Sequence, residues 1–302
     1  MRILSLLGRY SSIAAFGLLV SACTPNDPND NPTTPNVDTT IVDLQNPPVG
    51  VYDNAIFSIP SPIQLGSIIA NTGASYDNEM LNKANKSDLY ATTASQALNL
   101  GIYGADLGYT TLYDHQQESL RYMKASRKLA DVLGISEAFD DETIGQIERN
   151  LDNKDSLLYL ISNSYRKADD FLQIRDRKHI GALIIVGGWI ESIYFAASIG
   201  KMGKTKEISD LIGMQKHTLE TILDQMLHKY TEEPGVQDLY DDLESIRESF
   251  EEINIEYTYK KPIHDKEHKT TEIMSTTTVD ISDEVFKEIS TKIELLRKKI
   301  IL

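Results

Sequence analysis

Cysteine and catalytic signature motifs are scarce in this chain. The single cysteine, Cys23, has no partner for an internal disulfide, so the stability of a folded domain must come from its hydrophobic core. The sequence also lacks the Gly-x-Ser-x-Gly elbow of serine hydrolases, the Walker phosphate loop and any Cys-x-x-Cys pair. Nucleophilic and phosphoryl-transfer enzymes are therefore unsupported.

Positive charge is also in short supply. The chain has 30 Lys and Arg against 45 Asp and Glu, which gives a formal net charge of −15. Such an acidic surface repels phosphate backbones and anionic headgroups, and no basic stripe with interleaved aromatic residues offsets it. We expect no nucleic-acid partner.

The N-terminal residues form a leader typical of exported proteins. Arg2 and Arg9 precede a mostly apolar segment, residues 13–20, which is too short for a membrane span. The following run Val20-Ser21-Ala22-Cys23 resembles the lipobox of bacterial lipoproteins. This resemblance implies cleavage before Cys23 and lipid attachment to its sulfur. An ordinary signal, or an uncleaved anchor with an incidental cysteine, is the alternative.

A tether is predicted to separate the lipidated cysteine from the folded domain. Residues 24–48 hold six of the ten prolines among many Asn, Asp and Thr residues, a composition that cannot bury a core. We therefore predict a signal peptide over residues 1–22, a tether over 23–48 and one domain over 49–302. Thr24 rather than Asp after the cysteine favours the outer membrane, on its periplasmic face or at the cell surface.

Hydrophobic periodicity predicts an all-α fold, a multi-helix bundle of antiparallel helix pairs. From about Pro60 onwards, apolar residues recur every three or four positions. Residues 98–113 and 180–199 are apolar on nearly all sides and contain glycines that would allow close contact, so they are predicted to be central helices. Glu191 near the middle of the second segment favours a buried helix over a membrane span.

The C-terminal part departs from this pattern. β-Branched and aromatic residues at 255–259 and 272–281 flank a charged stretch at 262–269, which predicts a β-hairpin with a long loop over residues 253–281. Ser282 is the predicted N-cap of a final helix. The predicted buried stripe of that helix consists of Val285, Ile289, Ile293, Leu296 and Ile300.

Three runs of sequence resemble an uncharacterised family of Bacteroidetes lipoproteins. They are residues 100–109 (LGIYGADLGY), 150–157 (NLDNKDSL) and 187–194 (GGWIESIY). The resemblance extends from about Leu98 to the C-terminus. It implies a helical periplasmic or surface lipoprotein with no known activity, so it supplies no catalytic residue and no cofactor.

Two acids form the candidate polar site. Asp106 and Glu191 each lie in an otherwise apolar helix, and each is followed three residues later by a tyrosine on the same face, Tyr109 and Tyr194. If the two helices pack together, the carboxylates could perform acid–base chemistry or hold a cation. The favoured interpretation is structural.

In the structural interpretation, each acid bonds to a tyrosine or to a buried arginine such as Arg121 or Arg166.

His264 and His268 have a spacing known from metal sites, but the nearby proline and lysines indicate a solvated loop. We therefore predict neither a metal site nor a cofactor.

Three functions are compatible with these sequence features. The preferred one is a non-enzymatic, lipid-anchored helical domain that binds a protein, a peptide or an envelope component. The alternatives are an envelope enzyme that uses Asp106 and Glu191, and a carbohydrate-binding surface lipoprotein that uses some of the fifteen tyrosines. An enzyme should place both acids in an open pocket, a scaffold should seal them, and a sugar binder should expose several tyrosines on one rim.

Overall fold

Nine α-helices make up most of the chain that the computed structural model describes, namely residues 49–52, 55–265, 270–272 and 274–302. They are α1 (Pro62–Asn71), α2 (Thr93–Leu112), α3 (Gln116–Val132), α4 (Asp141–Arg149), α5 (Lys154–Ile174), α6 (Lys178–Met202), α7 (Lys206–Thr221), α8 (Val236–Glu251) and α9 (Asp283–Ile301). The all-α prediction is confirmed. The predicted leader, Cys23 and the tether lie outside the described residues.

Local sequence determines where several helices begin. Ser61 and Gln64 form a capping box at the start of α1, with Pro62 at the first helical position, where its missing N–H costs nothing. The Ser282 side chain accepts a hydrogen bond from the Val285 N–H at the start of α9. The predicted N-cap of the last helix is therefore confirmed.

Helices α2 and α6 lie side by side at the centre of the domain. A Cβ atom on Gly101 would lie 1.9 Å from the Ile184 carbonyl oxygen, and one on Gly187 would lie 2.0 Å from the Leu98 carbonyl oxygen. The predicted role of these glycines in close helix contact is confirmed. Although α6 is long and apolar enough to cross a membrane, 89% of its most apolar window is buried inside the domain, as in a core helix.

The predicted hairpin is present, and it contains more pairing than expected. Strand β3 (Asn254–Thr258) pairs antiparallel with β6 (Thr276–Asp280). Between them, β4 (Ile263–Asp265) pairs with β5 (Thr270–Glu272), so part of the expected long loop is a second strand pair. The base of the hairpin lies on α7, where a Cβ atom on Gly213 would lie 2.2 Å from Val279 Cγ1.

Two further elements differ from the sequence prediction. An antiparallel pair, β1 (Val49–Tyr52) and β2 (Ala55–Ser58), precedes the first helix and was not predicted. The apolar spacing of α7 continues in the sequence to Tyr230 and predicts one longer helix, but the chain leaves α-helical geometry after Thr221, and a π-helical segment, Ile222–Leu227, follows. The wider turn allows all four of its apolar side chains to be buried.

Candidate functional site

The two candidate acids meet inside the domain. Helix α2 carries Asp106 and α6 carries Glu191, a few residues beyond the glycine contact that brings these helices together. Both residues are 0% exposed. The structure thus brings the predicted acids to one place, and that place is sealed from solvent.

Glu191 pairs with Arg297, an arginine that was not among the predicted partners. Arg297 of α9 donates from Nε to Glu191 Oε2 and from Nη2 to Glu191 Oε1, both at 2.6 Å. A third hydrogen bond of 2.7 Å runs from Arg297 Nη2 to the Met80 carbonyl oxygen. Because the Arg297 side chain is only 8% exposed, this is a buried, bidentate ion pair. Burial lowers the pKa of Arg297, but the charge of Glu191 and its hydrogen bonds to the guanidinium, with smaller contributions from Asp106 and Tyr194, together outweigh burial and raise this pKa above its ordinary value.

The arginines predicted as partners lie elsewhere. The side chains of Arg121 and Arg166 are 67% and 68% exposed and pair with Glu118 and Asp170 on their own helices. That part of the prediction was wrong. The sequence feature that could have identified Arg297 as a buried partner is its position four residues after Ile293, which places it beside the apolar stripe of α9.

Asp106 lies beside this ion pair, within reach of the Glu191 side chain and the Asn82 backbone, but no described donor makes a well-aligned hydrogen bond to either of its carboxyl oxygens. Burial raises the pKa of Asp106 well above its ordinary value, and the charge of Glu191 raises it further, whereas the charge of Arg297 lowers it. These effects favour a protonated Asp106. The cluster then contains one negative and one positive charge, which compensate each other.

The two predicted tyrosines have different roles. The ring of Tyr194 lies against the guanidinium of Arg297, with Cζ 4.1 Å from the ring centroid, so it contributes a cation–π contact to the cluster. The hydroxyl of Tyr109 accepts a hydrogen bond of 3.1 Å from the Asp77 N–H, and its ring stacks on Tyr76. Tyr109 is therefore not the hydrogen-bond partner of Asp106.

A chain segment between α1 and α2 closes over the cluster. Its Asn82 side chain donates 3.0 Å hydrogen bonds to Tyr90 Oη and to Asn99 Oδ1. Asn99 in turn donates to the Ile300 carbonyl oxygen at 3.1 Å, which joins this segment and α2 to α9. Because these residues have no regular spacing, this network could not be predicted from the sequence.

The arrangement offers no open catalytic centre at the acids. A surface cleft of about 320 Å³ is lined by Ile68, Asn71, Thr72 and Glu207, none of which belongs to the cluster. In the part of the chain that the structure describes, no three His, Cys, Asp or Glu residues are grouped so as to hold a metal ion. The Nδ1 atom of His264 lies 2.9 Å from Thr271 Oγ1, and His268 is outside the described residues.

Comparisons with protein-family models, with curated proteins and with solved structures find no match for this chain. The family resemblance of the three sequence runs therefore stays a prediction, and the function must be argued from the site alone.

Proposed function

We propose that this chain is a lipid-anchored protein of the bacterial envelope, and that its helical domain is a non-enzymatic binding or scaffold domain for a protein, a peptide or an envelope component. The lipobox resemblance of Val20-Ser21-Ala22-Cys23 supports the anchor and an outer-membrane location. The membrane partner in this proposal is reached through lipid on Cys23, because the acidic surface repels anionic headgroups.

The sealed cluster is the observation that favours binding over catalysis. A catalytic carboxylate must come within hydrogen-bonding distance of its substrate. Both oxygens of Glu191 are instead occupied by Arg297, and neither Glu191 nor Asp106 is exposed. The cluster therefore acts as an internal connection between α2, α6 and α9, in agreement with the structural interpretation of the two acids.

The carbohydrate-binding alternative has narrower support. Among the described residues, the tyrosines with mostly exposed side chains are Tyr257 and Tyr259, both on the hairpin. Two neighbouring rings form a smaller surface than the rim of tyrosines that this alternative requires.

Complementation of a strain that lacks the chain tests the proposal, read as growth under envelope stress. The pair Glu191→Leu/Arg297→Met replaces the ion pair by apolar side chains, a change that is often neutral for stability, and it should complement as well as the wild type. Cys23→Ser should lose palmitate labelling and fail to complement, because the domain is no longer held at the membrane. Failure of the ion-pair variant with an unchanged helical circular dichroism spectrum would favour the enzyme alternative.

A further inference from the structure

Strand β3 of the hairpin has one edge with which no other described strand pairs. Val279 of β6 lies on Gly213 of α7, and its cross-strand neighbour Ile255 of β3 also packs on the core, so the ribbon contacts the domain with one face and β3 is the strand farther from α7. In the described chain, β3 pairs only with β6. The backbone N–H and C=O groups on its other side are therefore open, and such an edge is a template for another strand.

The side chains along this edge are free to meet a partner. The edge consists of the last three residues of β3, Glu256 to Thr258, and the two residues that follow, and all five are exposed, with Tyr257 at 62% and Tyr259 at 68%. The Lys260 N–H donates to Ser275 Oγ, which donates to the Lys260 carbonyl oxygen, so the chain continues beside the same ribbon. Among the described residues, none of the five forms a side-chain ion pair or a ring contact. An isolated two-stranded ribbon is only marginally stable in water, so further strand pairing would stabilise it.

The sequence of the edge is complementary to itself. In Glu256-Tyr257-Thr258-Tyr259-Lys260, Thr258 is the centre, a tyrosine lies on each side, and opposite charges lie at the two ends. Antiparallel pairing of two copies about Thr258 places Glu256 opposite Lys260, Tyr257 opposite Tyr259 and Thr258 opposite itself. Opposite charges, aromatic pairs and Thr–Thr pairs are all favourable across strands.

We propose that β3 pairs edge to edge with β3 of a second copy of this chain, centred on Thr258, to form a two-fold symmetric dimer with a four-stranded sheet. The symmetry fits, because a two-fold axis through Thr258 keeps residues 255, 257 and 259 of both copies on one face of the sheet. This dimer goes beyond the proposed function and does not depend on lipid at Cys23.

Two features of the edge limit the pairing to this register. A lysine on an exposed edge commonly prevents strand association, but here Glu256 provides the matching charge for Lys260 of the second copy. A shift of one strand by two residues centres the pairing on Tyr257 and separates Glu256 from Lys260, and a shift by four residues places Glu256 opposite itself, which is unfavourable. Pro262 has no N–H to donate and ends the paired segment on the other side.

Cysteine cross-linking in the full-length chain tests the dimer. Residues directly opposite in antiparallel strands have Cα atoms about 4.5–5.5 Å apart, within the range of a disulfide. Oxidation of Thr258→Cys should therefore give a covalent dimer. The matched control is Thr276→Cys, because Thr276 lies directly opposite Thr258 within the same ribbon but on the strand that faces α7. The wild-type chain, whose single cysteine is Cys23, measures any covalent dimer that forms through Cys23. Thr276→Cys should give no more dimer than this wild-type level.

Charge exchange in the Thr258→Cys chain tests the register. Glu256→Lys or Lys260→Glu places like charges at both ends of the pairing and should lower the cross-linked fraction about tenfold. The combination Glu256→Lys/Lys260→Glu should restore it. Lys287→Glu changes the net charge of the chain by the same amount as Lys260→Glu, but at an exposed position on α9. It should leave the cross-linked fraction unchanged. Equal cross-linking of Thr258→Cys and Thr276→Cys, no cross-linking above wild type, or single charge changes without effect would overturn the proposal.

Discussion

Replacement of Glu191 by glutamine examines how the central cluster contributes to stability. The substitution keeps the size of the side chain but removes the negative charge that compensates Arg297. The amide has one oxygen and one NH₂ group, so one of the two positions that now accept from Arg297 at 2.6 Å would present a donor to a donor. Loss of one partner from a buried ion pair typically costs about 3–5 kcal/mol.

The ionisation of Asp106 determines how much stability Glu191→Gln loses within this range. Without the charge of Glu191, one cause of the raised Asp106 pKa disappears, while the lowering effect of Arg297 remains. Asp106 can then ionise and partly compensate Arg297. We therefore expect Glu191→Gln to lose about 3 kcal/mol at neutral pH, and Asp106→Asn/Glu191→Gln to lose about 5 kcal/mol because no carboxylate is left. A loss of 3 kcal/mol lowers the melting temperature of a domain of this size by about 6–12 °C.

Urea unfolding of the chain without residues 1–22, carrying Cys23→Ser, measures these losses. The control is Glu248→Gln on α8, the same chemical change at an exposed position, which should alter stability by no more than about 0.5 kcal/mol. The reasoning is refuted if Glu191→Gln is as stable as this control, or if the added Asp106→Asn change makes no difference.

Two further predictions concern the same central helices. The raised pKa of Asp106 means that its native state holds a proton more tightly than its unfolded state, so its contribution to stability is present below about pH 4 and is lost as pH rises through the native pKa. The stability of Asp106→Asn relative to wild type should therefore rise with pH above about 4 in urea titrations, and a pH-independent difference would contradict this assignment. Gly187→Ala would place a Cβ 2.0 Å from the Leu98 carbonyl oxygen and should cost about 1–3 kcal/mol or more, whereas Gly203→Ala meets nothing within 4 Å and should be tolerated; equal melting temperatures for the two variants would argue against close packing at Gly187.

The features predicted from the sequence were those that local patterns encode. Segments that are apolar on all sides must have neighbours on all sides, which identified α2 and α6 and made Asp106 and Glu191 conspicuous within them. The ends of the hairpin were predictable because β-branched and aromatic residues favour strands. The N-cap of α9 was predictable because Ser282 provides the side-chain oxygen that caps a helix.

The features that were missed depend on contacts between distant parts of the chain. Arg297 lies 106 positions after Glu191, and nothing in the local pattern of α9 indicates which acid it meets. The segment that carries Asn82 has no helical or strand period, so its closure over the cluster could not be seen. The pairing of β4 with β5 similarly lies within a charged stretch that resembles a loop.

Carbodiimide labelling with an amine, followed by peptide mass spectrometry, tests most directly whether the cluster is sealed. In the folded protein, the exposed acids Asp238 and Glu248 should be modified, while Asp106 and Glu191 should remain unmodified because both are 0% exposed. All four should be modified in denaturant. Modification of Asp106 or Glu191 in the folded protein at a rate close to that of Glu248 would contradict the account and favour an open, catalytic site.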